Sequence, residues 1–343
     1  AASLQEDKTL GITLMEDTGN AYVPGTTNQL DITFTENFVS PGASLSVNVT
    51  KEFTSQAFID LSKLETSSKL KNTWDLAFSS EGFHVTLNAA NQVMARPLEK
   101  TNLNDVTASD TTGFKNSMLI GFTSSLEARP WIDDPTGDLT KTAIAAVSDD
   151  NEQNKVYIIK RDPGNWKKVR INRSGENYTI QFADIASTTF EEVTIEKEDD
   201  FNAKFFSLDN QIVDFEPEKA RWDFMYGTYT VFSTFGQPIP YSFSDFIIIN
   251  REQTSVAMVL EDQIDYQDFT ASDAASLTFS NEINAIGSTW RQGGGPSSSP
   301  FVFGDRFFVL KDSEDNMYKI LFTDMYSDTD ERGELSFTYE LLN

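Results

Sequence analysis

The stretch RFFVLKDSEDNMYKILF, Arg306–Phe322, decides the fold class. Two runs of aromatic and branched aliphatic residues flank the polar tetrad Ser313–Asn316, the pattern of two strands joined by a tight connection. The same texture recurs in KVYIIK (155–160), YTIQF (178–182) and DFIIIN (245–250), with turn clusters such as RDPGNW (161–166) between runs. Helical patterning is confined to two short segments, SQAFIDLSKLE (55–65) and ASDAASLTFSNEIN (271–284). The expected fold is mainly β, two related antiparallel β modules with few short helices.

The two modules are read from an internal repeat. AFIDL…TWDLAF in the first half parallels KFFSL…RWDFMY in the second, with Phe58 and Phe206 each 16 positions ahead of Trp74 and Trp222. Further on, KVYIIK…YTIQFADI…EEVTIEK parallels RFFVLK…YKILFTDM…GELSFTYE. The charged stretch EKEDDFNAK (196–204) suits a linker. The expected division is an N-terminal segment 1–37 and modules 38–199 and 200–343. Each Trp-Asp pair is read as structural. The Trp buries its rings and needs an acceptor for its N–H, while the Asp on the opposite face can bond turn amides or a basic partner.

The 343 residues include 27 Phe, enough apolar matter for one or two cores. Lys plus Arg is 27 against 53 Asp plus Glu, a net charge of −26 that repels nucleic acid and anionic membrane surfaces. The absence of Cys excludes disulfides, thiolate metal sites and cysteine nucleophiles. No apolar run approaches the ~18 residues of a membrane span. The start AASLQEDKTLG carries neither an initiator Met nor a signal peptide, and is read as a processed or truncated start.

Catalytic chemistry finds little footing. His84 is the single His, so a two-His metal site within the chain is excluded, and no G-x-S-x-G elbow offers it a serine. YSDTDERGEL (326–335) and WIDDPTGDLT (131–140) gather acids near glycine without EF-hand spacing and are read as acidic turns. GGGPSSSP (293–300) lacks the Lys and helix of a phosphate loop. Among the seven Met, Met94 and Met258 are least constrained by pattern, and a thioether can ligate haem iron.

TWDLAF followed by FHVTLN, and GSTWRQ…DRFFVLKDSEDNMYKILFTDM…ERGELSFTYELL, resemble the HmuY-like family of Bacteroidetes surface proteins, in particular its longer members. The resemblance runs from about Phe38 to the C-terminus. It implies a β fold, export, and lipid anchorage through a Cys that would precede Ala1. It implies hemophore activity in the best-known branch, with haem between two His and delivery to an outer-membrane haem receptor. Here the matching loop, near Gly294, offers no ligand, and the other matching region offers Met258 but no His. The candidate haem site is therefore Met258 as an axial ligand with Tyr241, Phe243, Trp290, Arg291, Gly294, Phe301 and Phe303 around it. The alternative is a non-haem surface lipoprotein that binds a polysaccharide or protein partner, or is structural. No enzyme activity is expected.

Overall fold

The computed structural model of the chain describes residues 43–115, 117–121, 125–161, 165–233, 238–295 and 297–342; the expected N-terminal segment 1–37 lies outside them. The fold is mainly antiparallel β, with two single-turn α-helices, Ser125–Ala128 and Ala271–Ala274, among the described residues. Of the two helix-like segments, 55–65 is a strand and its turn, and 271–284 holds only the second of these helices.

Four sheets carry the architecture. One five-stranded sheet runs in the order β1 (Ala43–Asn48), β20 (Arg332–Leu342), β19 (Met317–Tyr326), β18 (Arg306–Lys311), β15 (Ser255–Leu260). The other runs β10 (Glu191–Ile195), β9 (Asn177–Asp184), β8 (Lys167–Ser174), β7 (Val156–Lys160), β6 (Met94–Pro97). One four-stranded sheet is β14 (Ile239–Ile249), β13 (Phe224–Ser233), β2 (Ser55–Asp60), β3 (Glu65–Leu70). The second is β12 (Gln211–Val213), β11 (Ala203–Ser207), β4 (Leu76–Ser79), β5 (Val85–Leu87). A short ribbon, β16 (Arg291–Gln292) and β17 (Phe301–Val302), completes the strands.

These pairings exchange strands between the two sequence repeats. Strands β1 to β9 and β10 to β20 follow the same plan, in which β8 and β9 match β19 and β20 and β10 matches β1. The expected alignment of YTIQFADI with YKILFTDM and of EEVTIEK with GELSFTYE is therefore off by one strand. Within that plan β2–β3 pairs onto β13 and β11–β12 pairs onto β4. Likewise β1 joins β20, while β10 joins β9. The hydrogen bonds around each Trp-Asp pair are duplicated across the exchange. Asp75 accepts from the Leu208 amide at 2.7 Å and Asp223 from the Leu61 amide at 2.8 Å, so each Asp holds the turn of the other repeat's hairpin. Asn88 and Asn250 each donate to two carbonyls, Lys71 and Trp74 in one case and Lys219 and Trp222 in the other. The register shifts the sequence alignment by one residue: Phe206 pairs with Leu76 as Ile59 pairs with Phe224, so the counterpart of Phe58 is Phe205.

Why β7 and β18 read as unbroken apolar runs is clear from their two faces. Tyr157 and Ile159 enter one core cluster and Val156 and Ile158 another; Phe308 and Leu310, then Phe307 and Val309, divide in the same way. A strand covered on both faces loses the alternation of a half-exposed one. The outer cover is supplied by the long connections, Leu103 to Ile132 over one sheet and Tyr266 to Ala274 over the other. A buried lysine fastens each. Lys168 donates to the carbonyls of Leu103 and Ser187 at 2.9 and 2.7 Å, and Lys319 to those of Tyr266 and Phe269 at 2.9 and 3.3 Å. Four well-placed acceptors offset the cost of burying the two ammonium groups.

The predicted hairpin Arg306–Phe322 is present, with Lys311 opposite Met317. Asp312 caps its turn, taking the amides of Glu314 and Asn316 at 2.8 and 2.9 Å.

Candidate functional site

The connection from Gly287 to Asp305 is tied down at both ends. Arg291 pairs with Val302 and Gln292 with Phe301, and the Phe303 amide donates to the Trp290 carbonyl at 3.0 Å. Gly294 turns the ribbon with φ +79°, where a Cβ would sit 2.9 Å from the Pro300 ring; glycine meets both demands. The Tyr326 hydroxyl donates to the Pro300 carbonyl at 3.3 Å. A Gly/Ser-rich segment thus forms a ribbon pinned to the five-stranded sheet.

Trp290, one of the expected site residues, lies inside the core with 1% exposure, its ring 5.3 Å from Phe322 and 6.3 Å from Tyr226. Burial of a ring of that size contributes roughly 2–3 kcal/mol, so Trp290 anchors the ribbon through packing. Arg291 is buried beside Asp245, which also pairs with Arg332, so one carboxylate holds the ribbon, β14 and β20 together. The Arg291 guanidinium also lies 5.5 Å from the Phe243 ring centre.

Tyr241 and Phe243 are neighbours at 4.8 Å in an edge-to-face pair on β14, and Phe301 and Phe303 form another at 5.5 Å on the ribbon. Arg306 covers Phe303 at 4.2 Å. Phe301 is 52% exposed. Met258, on edge strand β15, is 45% exposed although Ala257 and Val259 beside it are buried. Directly opposite in an antiparallel pair, it shares a sheet face with Phe308, which belongs to the core cluster that holds Trp290. Met258 therefore marks the open rim of the face on which the ribbon packs.

The donor set here is narrow. Met258 offers one thioether, and Gly294 offers no side chain. His84 lies in the first repeat, next to Gly82 and under the Tyr178 hydroxyl, which donates to its carbonyl at 3.2 Å. The acidic stretches act as turns: Asp134 and Asp138 cap Thr136 and Thr140, and Ser327 caps Thr329 and Glu331. Among the described residues no group of three or more His, Asp or Glu is placed to hold a metal ion.

The relatives give this frame its family. A family model described as the HmuY protein matches residues 52–339. The chain belongs to the HmuY family. Three solved structures are similar to it. Apo PinO from Porphyromonas gingivitis is 11% identical with a TM-score of 0.27, over 89% of this chain and 99% of its own. The apo HmuY analogue TFO from Tannerella forsythia is 11% identical with a TM-score of 0.25, over 88% and 96%. A putative HmuY-like heme-binding protein from Bacteroides vulgatus is 9% identical with a TM-score of 0.22, over 87% and 90%. No curated protein matches. The family assignment rests on the sequence match.

A second constellation escaped the sequence reading. Where the two four-stranded sheets meet, a cavity of about 310 Å³ is lined by Phe58, Trp74, Phe205, Phe215, Trp222 and Met225. Phe58 and Phe205, and Trp74 and Trp222, are counterparts across the strand exchange, so the cavity lies on the internal pseudo-symmetry axis. Polar groups enter it unequally. Gln56 donates to the Thr228 carbonyl at 2.8 Å and leaves its own Oε1 without a partner. Gly227 permits this approach, because a Cβ there would fall 2.8 Å from the Gln56 side chain. Glu216 accepts from Asn202 at 2.7 Å, and burial pushes its carboxyl up to about 7. Among the described residues the Trp74 indole N–H is buried without a hydrogen-bond partner, although the sequence pattern called for an acceptor, whereas the Trp222 N–H faces the Glu216 carboxyl and draws it back towards ionisation against its burial. Over the cavity runs the segment from Asp133 to Leu139, held by Arg251 to the Gly137 carbonyl at 2.6 Å and Tyr229 to that of Pro135 at 3.2 Å. Asp133 fixes its start, accepting from Leu87 and Ala143 at 2.6 and 2.9 Å, and burial raises it to about 6.

Proposed function

We propose that this HmuY-family chain is an exported surface binding protein that takes up haem, or a related tetrapyrrole, at the rim of its C-terminal five-stranded sheet. The observation that carries the reading is the half-exposed Met258 thioether on the edge strand of the face that the aromatic ribbon covers. One thioether and exposed aromatic rings fit a haem held through a single protein side chain, and the chain's only imidazole belongs to the other repeat. Met258 would hold the iron, Phe301 and Phe303 would cover a porphyrin face, and Tyr241 and Phe243 would extend the apolar wall. Trp290, Arg291 and Gly294 would act beneath, by fixing the ribbon. When bound, the haem supplies an iron centre for delivery, and the protein's part is to shield and present it. Membership of the HmuY family supports this. A lipid anchor ahead of Ala1 and an outer-membrane haem receptor complete the proposal, and its activity is binding rather than catalysis.

Hemin titration followed by absorbance tests it. A saturable Soret shift at micromolar protein, lost in Met258→Ala while the fold is retained, is the expected result. A spectrum that stays that of free hemin sinks the reading. That outcome favours the second one, a non-haem surface protein that docks a polysaccharide or protein partner through the same rim. The exposed Phe301 beside a turn without ligand atoms speaks for it.

A further inference from the structure

Strand β3 is the outer strand of its sheet: β2 pairs with one side of it, and among the described residues no strand lies on the other. Proteins guard such edges by keeping them short or by breaking them with proline and inward charge. The equivalent edge of the other repeat, β12, has three residues, whereas β3 has six and no proline. Two large apolar side chains stand exposed at its ends, Leu64 at 45% and Leu70 at 54%. Leu64 also sits at φ +56°, a left-handed conformation that a side chain of that size adopts at a cost. The matching turn residue of the other repeat, Gln211 at φ +61°, is polar.

Backbone parity limits how another strand can add. The Lys71 amide donates to the Thr54 carbonyl at 2.9 Å, and the alternation of an antiparallel ladder then turns Lys69, Ser67 and Glu65 towards β2. Thr66 and Ser68 therefore point their N–H and C=O groups outward. An antiparallel copy of β3 centred on Ser67 sets Thr66 opposite Ser68 twice, so all of these groups find partners. The same register brings Leu64 against Leu70 and Glu65 against Lys69, again twice. Arg221 already flanks Glu65, and Asp214 flanks Lys69, so charges of alternating sign line up across the junction. Centring on Ser68, the neighbouring register that parity allows, sets Leu70 opposite Thr66 and leaves Leu64 without an apolar partner.

We infer that β3 is a homodimer interface, in which two copies of the chain pair edge to edge about a twofold axis at Ser67 and join their four-stranded sheets into one. A second copy is the occupant because the strand is complementary to itself in apolar contacts, charge and hydrogen bonding at a single register. The net charge of −26 on each copy opposes their approach, so the dimer is weak and tightens as salt screens that repulsion. The interface uses none of the residues around Met258.

Sedimentation equilibrium of the full chain tests it. A reversible monomer–dimer equilibrium is expected between about 10 and 500 μM protein at about 0.5 M salt. Glu65→Lys and Lys69→Glu each set like charges opposite one another and should weaken the dimer by about tenfold. The double variant Glu65→Lys/Lys69→Glu keeps the original net charge and should recover to within about threefold of the unaltered chain. Ser68→Pro removes an outward amide without touching the β2–β3 ladder, and should abolish pairing while the melt stays cooperative. The chain has no Cys, so single thiols can map the axis. Ser67→Cys should give a disulfide-linked dimer on mild oxidation, because facing positions of that kind lie about 4.5 Å apart between Cα atoms. Ser68→Cys, which faces Thr66 instead, should not. A monomer at every concentration, a dimer that survives Ser68→Pro, no recovery in the double variant, or equal linking at both positions would each overturn the inference.

Discussion

The two repeats share a frame and differ in what fills it. Lys168 and Lys319 occupy equivalent places, opposite Ile158 and Val309, and each fastens its long connection to its sheet. Just past the strands β7 and β18, however, the equivalent positions hold Arg161 and Asp312. Arg161 pairs with Asp75 at 2.8 Å, so the first repeat balances its buried carboxylate with a cation. Among the described residues Asp223 has no such cation: burial first, then the nearby charges of Asp60, Asp312 and Glu314, pushes it up to about 7. The connections diverge as well. The first covers its sheet with Leu103, Phe114, Met118 and Ile132, whereas the second spends part of its length on the ribbon that presents Phe301. The hydrogen-bonded frame stays constant, and electrostatics and connections are where the copies specialise.

The largest test of this comparison is to cut it. Because each repeat completes the other's sheets, chains ending near Ser187 and beginning near Thr188 should each be unfolded alone by circular dichroism. Mixed from denaturant, they should regain the β spectrum and a cooperative melt. Independent folding of either fragment would contradict the exchange of strands.

Next come the two lysines. Lys168→Met and Lys319→Met each strand two carbonyls under a connection, and each should cost about 2–4 kcal/mol in urea unfolding. Lys319 also pairs with Glu340 at 3.2 Å, so its loss should be the larger. Equal or negligible losses would show that the connections are held by apolar packing.

The smallest effect is one of pH. Asp223 has a folded pKa raised to about 7 from an ordinary value near 3.8, so the folded state holds its proton more tightly. Its contribution is complete below about pH 3.8 and is lost as pH rises through about 7, on the order of 4 kcal/mol across that window. Asp223→Asn should flatten this part of the stability profile, measured by urea midpoints from pH 4 to 8. Asp75→Asn should flatten it less, since Arg161 pulls the Asp75 carboxyl back towards ionisation against its burial. Equal flattening would mean that Arg161 and Asp312 do not set the difference.

Much of the frame was legible in the sequence. Aromatic and β-branched runs named the strands, because those side chains need a pleated, covered surface. The paired Trp-Asp motifs exposed the repeat, and the expected bonds from turn amides are present at Asp75 and Asp223. The exchange was not legible. Burial patterns report that a face is covered, and Phe58 looks the same whether Met225 of the other repeat or a strand of its own lies opposite. The one-residue offset between Phe58 and Phe205 was hidden for the same reason. Of the candidate site, the aromatic pairs and Met258 were readable as types. The depth of Trp290 and the Arg291–Asp245–Arg332 cluster were not, since residues 46 and 87 positions away meet there. The cavity groups were missed altogether: Gln56, Glu216 and Asp133 sit in unremarkable polar contexts, and only the fold encloses them.

The pairing of Ala43 with Tyr339 has a consequence in time. As the chain is made, the first repeat's β2–β3 hairpin has no sheet to join until β13 exists, and β1 has none until the last strand is complete. Strands waiting through most of the sequence are exposed edges, the kind that recruit the same strands of other molecules. A net charge of −26 on 343 residues then acts before the fold exists: it keeps unfinished copies apart during the long search that such distant pairing imposes.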